Sequence, residues 1–290
     1  MSNLTLAMVG MATVDLTYSL DHFPDEESEN PVREQTTSIG GLMGRAAVTA
    51  ARLGCEPKLF ATCGVGLMAD ALRAGLVEEG VKVTWREYPT VSQHSVILSA
   101  IDAASRTTLW RPQPYVDPSI RPMLRDFLEG VDIVLLDATD PVLSAEAVAA
   151  CRQMDIISIL DTGSGRPWTA ALLPEIDIVI ASAKFGRKIS GLTGPAALAD
   201  LWTKGCKSVF AVTEGAAGGG WTDGPTLGDA HRWNAVDVDA VDTCGAGDVF
   251  HGAFACGLAE GLSVRDSIER AALVAAVSTT EVGNAAIRRP

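Results

Sequence analysis

Short runs of consecutive apolar residues alternate with longer stretches of helical spacing along most of the chain. Residues 4–10, 58–61, 133–136, 156–160, 176–180 and 208–212 form the runs, and apolar side chains at successive positions are expected of strands covered on both faces. Between them, residues 46–53, 69–79, 144–154, 196–204, 248–260 and 264–281 repeat apolar positions at helical spacing and are rich in alanine. The alternation predicts an α/β domain, a mainly parallel sheet with helices on both faces. Ligands of such sheets bind beyond the C-terminal ends of the strands. Asp15, Asp161, Thr213 and a glycine turn at Gly245 are expected to gather there.

Two segments depart from this rhythm. Residues 17–37 and 91–110 alternate polar and apolar positions without helical spacing, which predicts a small antiparallel sheet standing off the main body. The proline-rich stretch 111–122 reads as the return to the core. No repeat, linker or low-complexity tract interrupts the sequence, so residues 1–290 are expected to form one domain.

A hydrophobic content of 47% over 290 residues suffices for a large core. The formal charge of −13, with no basic block, argues against a nucleic-acid or anionic-membrane surface. The six cysteines (Cys55, Cys63, Cys151, Cys206, Cys244 and Cys256) form no Cys-x-x-Cys pair and have no histidine at ligand spacing. Reduced thiols in a soluble, cytoplasmic protein are the simplest expectation, and a zinc site is not expected. The apolar run 4–14 has no Lys or Arg ahead of it and is closed by Asp15, which reads as a first strand and not as a signal peptide.

The most specific chemistry lies in Asp242-Thr243-Cys244-Gly245-Ala246-Gly247-Asp248, running into an apolar helix. Gly245, Ala246 and Gly247 are small enough for backbone N–H groups to crowd around an anion, and the helix adds the positive end of its dipole. Asp248, in the first helical turn, is placed to accept a proton from an attacking hydroxyl beside that anion. The alternative is a tight turn whose Asp only caps its helix.

This string resembles the Asp-Thr-x-Gly-Ala-Gly-Asp motif of the PfkB carbohydrate kinases, which have a ribokinase-like fold. The resemblance implies a three-layer sandwich with a small β-sheet lid over the sugar, contributed here by about 17–37 and 91–110, and often a homodimer through that lid. It implies ATP-dependent phosphorylation of a sugar hydroxyl with Mg²⁺, with Asp248 as catalytic base and Gly245, Ala246 and Gly247 as anion hole. Asp15 matches a sugar-binding aspartate, and Gly40 and Gly41 match the Gly-Gly sugar motif. Asp161 to Trp168 is similar to an Asp-x-Asn-x-Arg-x-x-Trp region, in which Arg166 either binds an anion or pairs with Asp161. Thr213, Gly215 and Gly218 match a nucleotide-contacting loop, and Ala275, Ser278 and Thr279 fall where part of the adenine pocket is built. Related kinases place a monovalent cation, K⁺, near the positions of Asp242 and Cys244.

The departures are equally specific. The usual asparagine of the Gly-Gly motif is Arg45, whose planar fork of donors suits a carboxylate, phosphate or sulfonate. Arg45 therefore marks an anionic acceptor, or else points to solvent or to a carboxylate of the protein. The Asn-x-x-Glu that helps to hold Mg²⁺ is replaced by Ser182-Ala183-Lys184-Phe185, leaving ATP oxygens and water to hold the metal and Lys184 to add charge. Gly64-Val65-Gly66 stands where many members have Gly-Asp-Asp. Val249-Phe250-His251-Gly252 and the missing Asn-x-x-Glu resemble the fructokinase and sulfofructose kinase branches, so a ketose is the first acceptor expected. A nucleoside is the alternative acceptor, and a non-catalytic sugar-binding or regulatory relative the alternative role. His251, one turn past Asp248, is expected to pack on its helix, and His22 and His94 fall in the expected lid.

Overall fold

Strand 1 shows how the main sheet is buried: Leu6 and Met8 enter one apolar cluster and Ala7 and Val9 the other, so both faces are covered. The structure is a computed structural model that describes residues 4–102, 105–282 and 286–287, so residues 103 and 104 of the expected lid lie outside the described residues.

In chain order the first half contains β1 (Leu6–Val9), β2 (Thr13–Leu20), β3 (Glu34–Gly40), α1 (Leu42–Arg52), β4 (Lys58–Val65), α2 (Leu67–Glu78), β5 (Lys82–Val91), β6 (His94–Ala100) and β7 (Ser105–Trp110). Then follow α3 (Arg121–Leu128), β8 (Ile133–Asp137), α4 (Pro141–Met154), β9 (Ile157–Asp161), α5 (Thr169–Leu172) and β10 (Ile178–Ser182). The last part holds α6 (Ala183–Ser190), α7 (Gly194–Lys204), β11 (Val209–Thr213), β12 (Gly219–Thr222), β13 (Ala230–Trp233), α8 (Ala246–Ala259) and α9 (Val264–Ser278).

Nine strands form the main sheet in the order β13-β12-β11-β10-β9-β8-β1-β4-β5, parallel except for β12 and β13. Helices α1, α2, α8 and α9 pack one face and α3, α4, α6 and α7 the other, which gives the three-layer sandwich. The edge strands β5 and β13, the short β12 beside β13 and the eight-residue helix α3, which follows the proline-rich stretch, were not expected from the pattern.

A second sheet has the order β3-β2-β6-β7. It corrects the expected lid in two respects. Its central pair β2–β6 is parallel, with Asp15 opposite Ser95, while β2–β3 and β6–β7 are antiparallel. Val91 belongs to β5 on the edge of the main sheet, so the second lid segment starts at His94 and the first already at Thr13.

The contact that positions the chemistry is between α1 and α8. A Cβ at Gly252 would lie 2.4 Å from the Ala46 carbonyl oxygen, so only glycine permits this approach. Ala46, Ala47 and Ala50 on one helix and Ala253 and Phe254 on the other are fully buried in the seam.

Candidate active site

Gly245 is the N-cap of α8, with φ +78°, and the Val249 N–H closes onto its carbonyl at 2.9 Å. The Ala246 N–H reaches the Thr243 carbonyl at 3.4 Å, the other amides of the first turn have no intrahelical acceptor, and the space above Gly247 is open. The approach to the turn is fixed as well. Asp242 accepts the Cys244 N–H at 2.8 Å, while the Val241 and Asp242 N–H groups donate to the Thr279 carbonyl at 2.7 and 2.9 Å. The result is a preorganised cradle of N–H groups at a helix N-terminus.

Asp248 stands in that first turn, and its carboxylate accepts from Arg45 Nη1 at 3.3 Å. Nη2 of the same guanidinium donates to Asp15 at 2.8 Å. Asp15 is seated by the Thr13 hydroxyl at 3.1 Å and lies on Gly40, where a Cβ would come within 2.2 Å of its carboxyl. Gly41, with φ +77°, caps α1 against the Met11 carbonyl and sends the helix, and Arg45 with it, toward the cradle. Asp15, Gly40, Gly41, Arg45, Asp248 and the Gly245 turn are thus brought together from β2, β3, α1 and α8.

Arg45 is only 7% exposed. Its burial opposes the charge, but Asp248 and Asp15 outweigh it and raise its proton affinity further. Arg45 is consequently no free fork for an anionic acceptor: of the readings open from sequence, the protein carboxylate is the one realised. Burial raises Asp248 against the pull of Arg45; Asp161 and Asp15 raise it further, His251 lowers it, and it is pushed up to about 7. A carboxylate titrating there is poised to exchange a proton near neutral pH.

His251 is more than a packed side chain. Its Nδ1 lies 2.6 Å from the Gly247 carbonyl and 3.4 Å from Asp161, and its Nε2 3.2 Å from the Ile180 carbonyl. It ties the cradle to the end of β9. Its spacing of three from Asp248 was the available signal, but an apolar helix carries many such residues. Asp137 supports the same strand ends. It accepts the Met11 and Thr139 N–H groups at 2.7 and 2.9 Å, and burial pushes it up to about 6.

Other expectations are corrected. Arg166 is exposed and lies over the Trp110 ring at 5.6 Å, at the end of the lid strand β7, while Asp161 accepts the Gly163 N–H at 2.7 Å. Ser278 is fully buried and its hydroxyl donates to the Ala275 carbonyl at 2.7 Å, so it offers nothing to a nucleotide. In the loop after β11, Gly215 is exposed with open space around it, whereas Gly218 is buried because a Cβ would meet the Trp233 carbonyl at 2.2 Å. Thr213 is half-buried, its hydroxyl 3.4 Å from the Ala181 carbonyl. At the start of α6 the Ser182 hydroxyl accepts the Phe185 N–H and donates to the Gly163 carbonyl, and Phe185 is buried. Residues 182–185 themselves supply no carboxylate for Mg²⁺. Finally, Cys55 and Cys256 are joined in a disulfide between the end of α1 and α8, not left as thiols, and Cys63, Cys151, Cys206 and Cys244 are free.

Between the second sheet and the Val241 to Cys244 segment lies a cavity of about 80 Å³, bounded by the hydroxyls of Thr17, Ser19, Thr36 and Ser99, by Glu34, Arg106 and Asp242, and by apolar side chains including Ile97 and Val282. No aromatic ring among the described residues lines it. Hydroxyl groups of the second sheet there face the segment that leads into α8. The pfkB family carbohydrate kinase model matches residues 3–288, and the chain belongs to that family. It is 44% identical over 284 residues to a ribokinase of Lactococcus lactis subsp. lactis, covering 96% of this chain and 91% of the relative. Ribokinase from Thermotoga maritima superposes with a TM-score of 0.84 at 22% identity, covering 99% of this chain and 96% of the other. Arabidopsis thaliana ribokinase complexed with ribose and ATP superposes at 0.82 and 21%, covering 100% and 96%. The chain is a sugar or nucleoside kinase of the PfkB/ribokinase type, a class that uses ATP, typically with Mg²⁺. No helix among the described residues is long and apolar enough to cross a membrane.

Proposed function

We propose that this kinase transfers the γ-phosphoryl group of ATP to a primary hydroxyl of a neutral ketose. The observation that carries the proposal is the convergence of Asp15, Arg45 and Asp248 on the open N-terminal turn of α8. Asp248 takes the proton of the bound hydroxyl, whose oxygen attacks the γ-phosphorus in line, and the amides of Gly245, Ala246 and Gly247 stabilise the charge that develops on the phosphoryl oxygens. Asp15, with Gly40 and Gly41, holds neighbouring hydroxyls, and Thr213 and Gly215 flank the nucleotide. Mg²⁺, when bound, would be held by phosphate oxygens and water and would supply charge that offsets the triphosphate. A K⁺ ion beside Asp242 would tighten the turn that Asp242 already orders.

Neutrality of the acceptor follows from charge. With both acids ionised, Asp15, Arg45 and Asp248 together carry one net negative charge, which opposes a sugar phosphate, carboxylate or sulfonate at the same place. The aromatic-free cavity gives a nucleobase nothing to stack on. A homodimer through the lid belongs to the same reading, supported by the exposed Leu109 and Trp110 on β7.

ADP release measured against fructose, tagatose, ribose, nucleosides and sugar phosphates, with Asp248→Asn as control, is the test. A ketose as preferred acceptor, lost in the variant by about 10²–10⁴-fold in kcat, is expected. Preference for ribose or for an anionic sugar would refute the acceptor, and an undiminished variant would refute the base.

A further inference from the structure

The guanidinium of Arg45 occupies the middle of the site. Nη1 faces Asp248 at 3.3 Å, Nη2 faces Asp15 at 2.8 Å, and a Cβ on Gly245 would fall 1.7 Å from Nη1. The cation is thus laid against the N-cap glycine of the anion cradle. Its Nε is buried and has no hydrogen-bond partner among the described residues. A buried arginine that leaves one donor unmade is held by its remaining contacts, and here those are the two carboxylates and the Cys244 thiol. Its backbone is equally constrained, because Gly252 against Ala46 sets the distance between α1 and α8.

We infer that Arg45 is a positioning residue for the phosphoryl transfer: it clamps the acceptor-side Asp15 to Asp248, keeping the base charged and aimed at the acceptor hydroxyl. The inference rests on the function proposed above. The charged groups around Asp248 are Arg45 from α1, Asp15 from β2, Asp161 from β9 and His251 from α8, with Cys244 facing Arg45 from the preceding turn. Of these groups, Arg45 and His251 favour the carboxylate form, and Arg45 does so more strongly.

The test compares wild type, Arg45→Met and Arg45→Lys by the pH dependence of kcat/KM with the best acceptor. In Arg45→Met the acid limb should move up by about one pH unit, so the loss is greatest below pH 7 and shrinks toward pH 9. KM should rise because Asp15 is no longer held. Arg45→Lys should bring the acid limb back while KM stays high, since one ammonium cannot span both carboxylates. A purely structural role would instead lower activity equally at every pH, and that result, or an unmoved acid limb, overturns the inference. Should the wild type phosphorylate no acceptor, the function proposed above fails by itself. The clamp is then read from carboxyl ¹³C shifts of aspartate-labelled protein, with Asp248 assigned through Asp248→Asn. A titration midpoint that rises in Arg45→Met supports the clamp, and an unmoved one overturns it. If Arg45→Met does not fold, Asp15→Asn/Arg45→Met against Asp15→Asn carries the same comparison.

Discussion

Replacing Asp248 by Asn should abolish most of the activity and yet make the protein more stable at alkaline pH. The folded structure raises this carboxyl from its ordinary 3.8 to about 7. Between these values the folded protein holds a proton that the unfolded chain releases, so stability declines as pH rises through the window and the deficit is complete above pH 7. At about 1.4 kcal/mol per unit, the rise corresponds to roughly 4 kcal/mol as an upper bound. The Asp248 side chain is one-fifth exposed, and solvent screening reduces that to about 2 kcal/mol. Asparagine resembles the neutral acid in size and never ionises, so the variant escapes the decline. The expected result is a melting temperature about 4 °C above wild type at pH 8, shrinking to about half that at pH 4.5 and vanishing only below pH 3.8. Asp137, pushed up to about 6 by burial, adds the same slope to both proteins and cancels in the comparison. Thermal melts from pH 4.5 to 9 on both proteins, followed by circular dichroism, read the effect directly. A variant less stable than wild type at pH 8, or a difference that does not change with pH, would refute the electrostatic account of the site.

Two further outcomes are expected. Gly252→Val should push α1 away from α8, because a Cβ would sit 2.4 Å from the Ala46 carbonyl; about 1–3 kcal/mol of stability should be lost in urea unfolding, and kcat/KM should fall even where the variant is fully folded. Unfolding the non-reduced protein in the presence of a thiol reagent should titrate four cysteines, rising to six after reduction, and reduction should lower the unfolding free energy by about 2–4 kcal/mol; six reactive thiols without reductant would contradict the disulfide.

The core of the sheet was legible because it obeys one rule. β1, β8, β9 and β10 are buried on both faces, so their sequences are continuous apolar runs, and the intervening helices repeat at helical spacing. β5, with mostly part-exposed residues, lies at the sheet edge, where no such pattern is imposed, whereas β12 is buried throughout but is only Gly-Gly-Trp-Thr, too short and glycine-rich to read as an apolar run. The turn at Gly245 was readable because phosphate cradles need small residues in a fixed order, and the structure gives Gly245 the positive φ that order requires. The partner of Arg45 was not readable. Arg45 and Asp248 are 203 residues apart, and nothing local distinguishes an arginine paired with protein carboxylates from one awaiting a ligand. Ser278 failed for a related reason: a small residue suits both a pocket wall and a helix seam, and only its burial separates the two. The disulfide joins residues 201 apart, beyond the reach of spacing arguments.

The pairing of α1 with α8 divides labour within the enzyme. One covalent staple, one glycine notch and one ionic bridge fasten these two rods at successive points along their length, from Cys55–Cys256 through Gly252–Ala46 to Arg45–Asp248. The groups proposed to react are therefore registered by a rigid frame, whereas the walls proposed to meet the sugar come largely from the second sheet. Acceptor preference can drift through changes in β2, β3, β6 and β7 while the apparatus of transfer remains undisturbed, which makes this frame a natural chassis for kinases redirected to new alcohols.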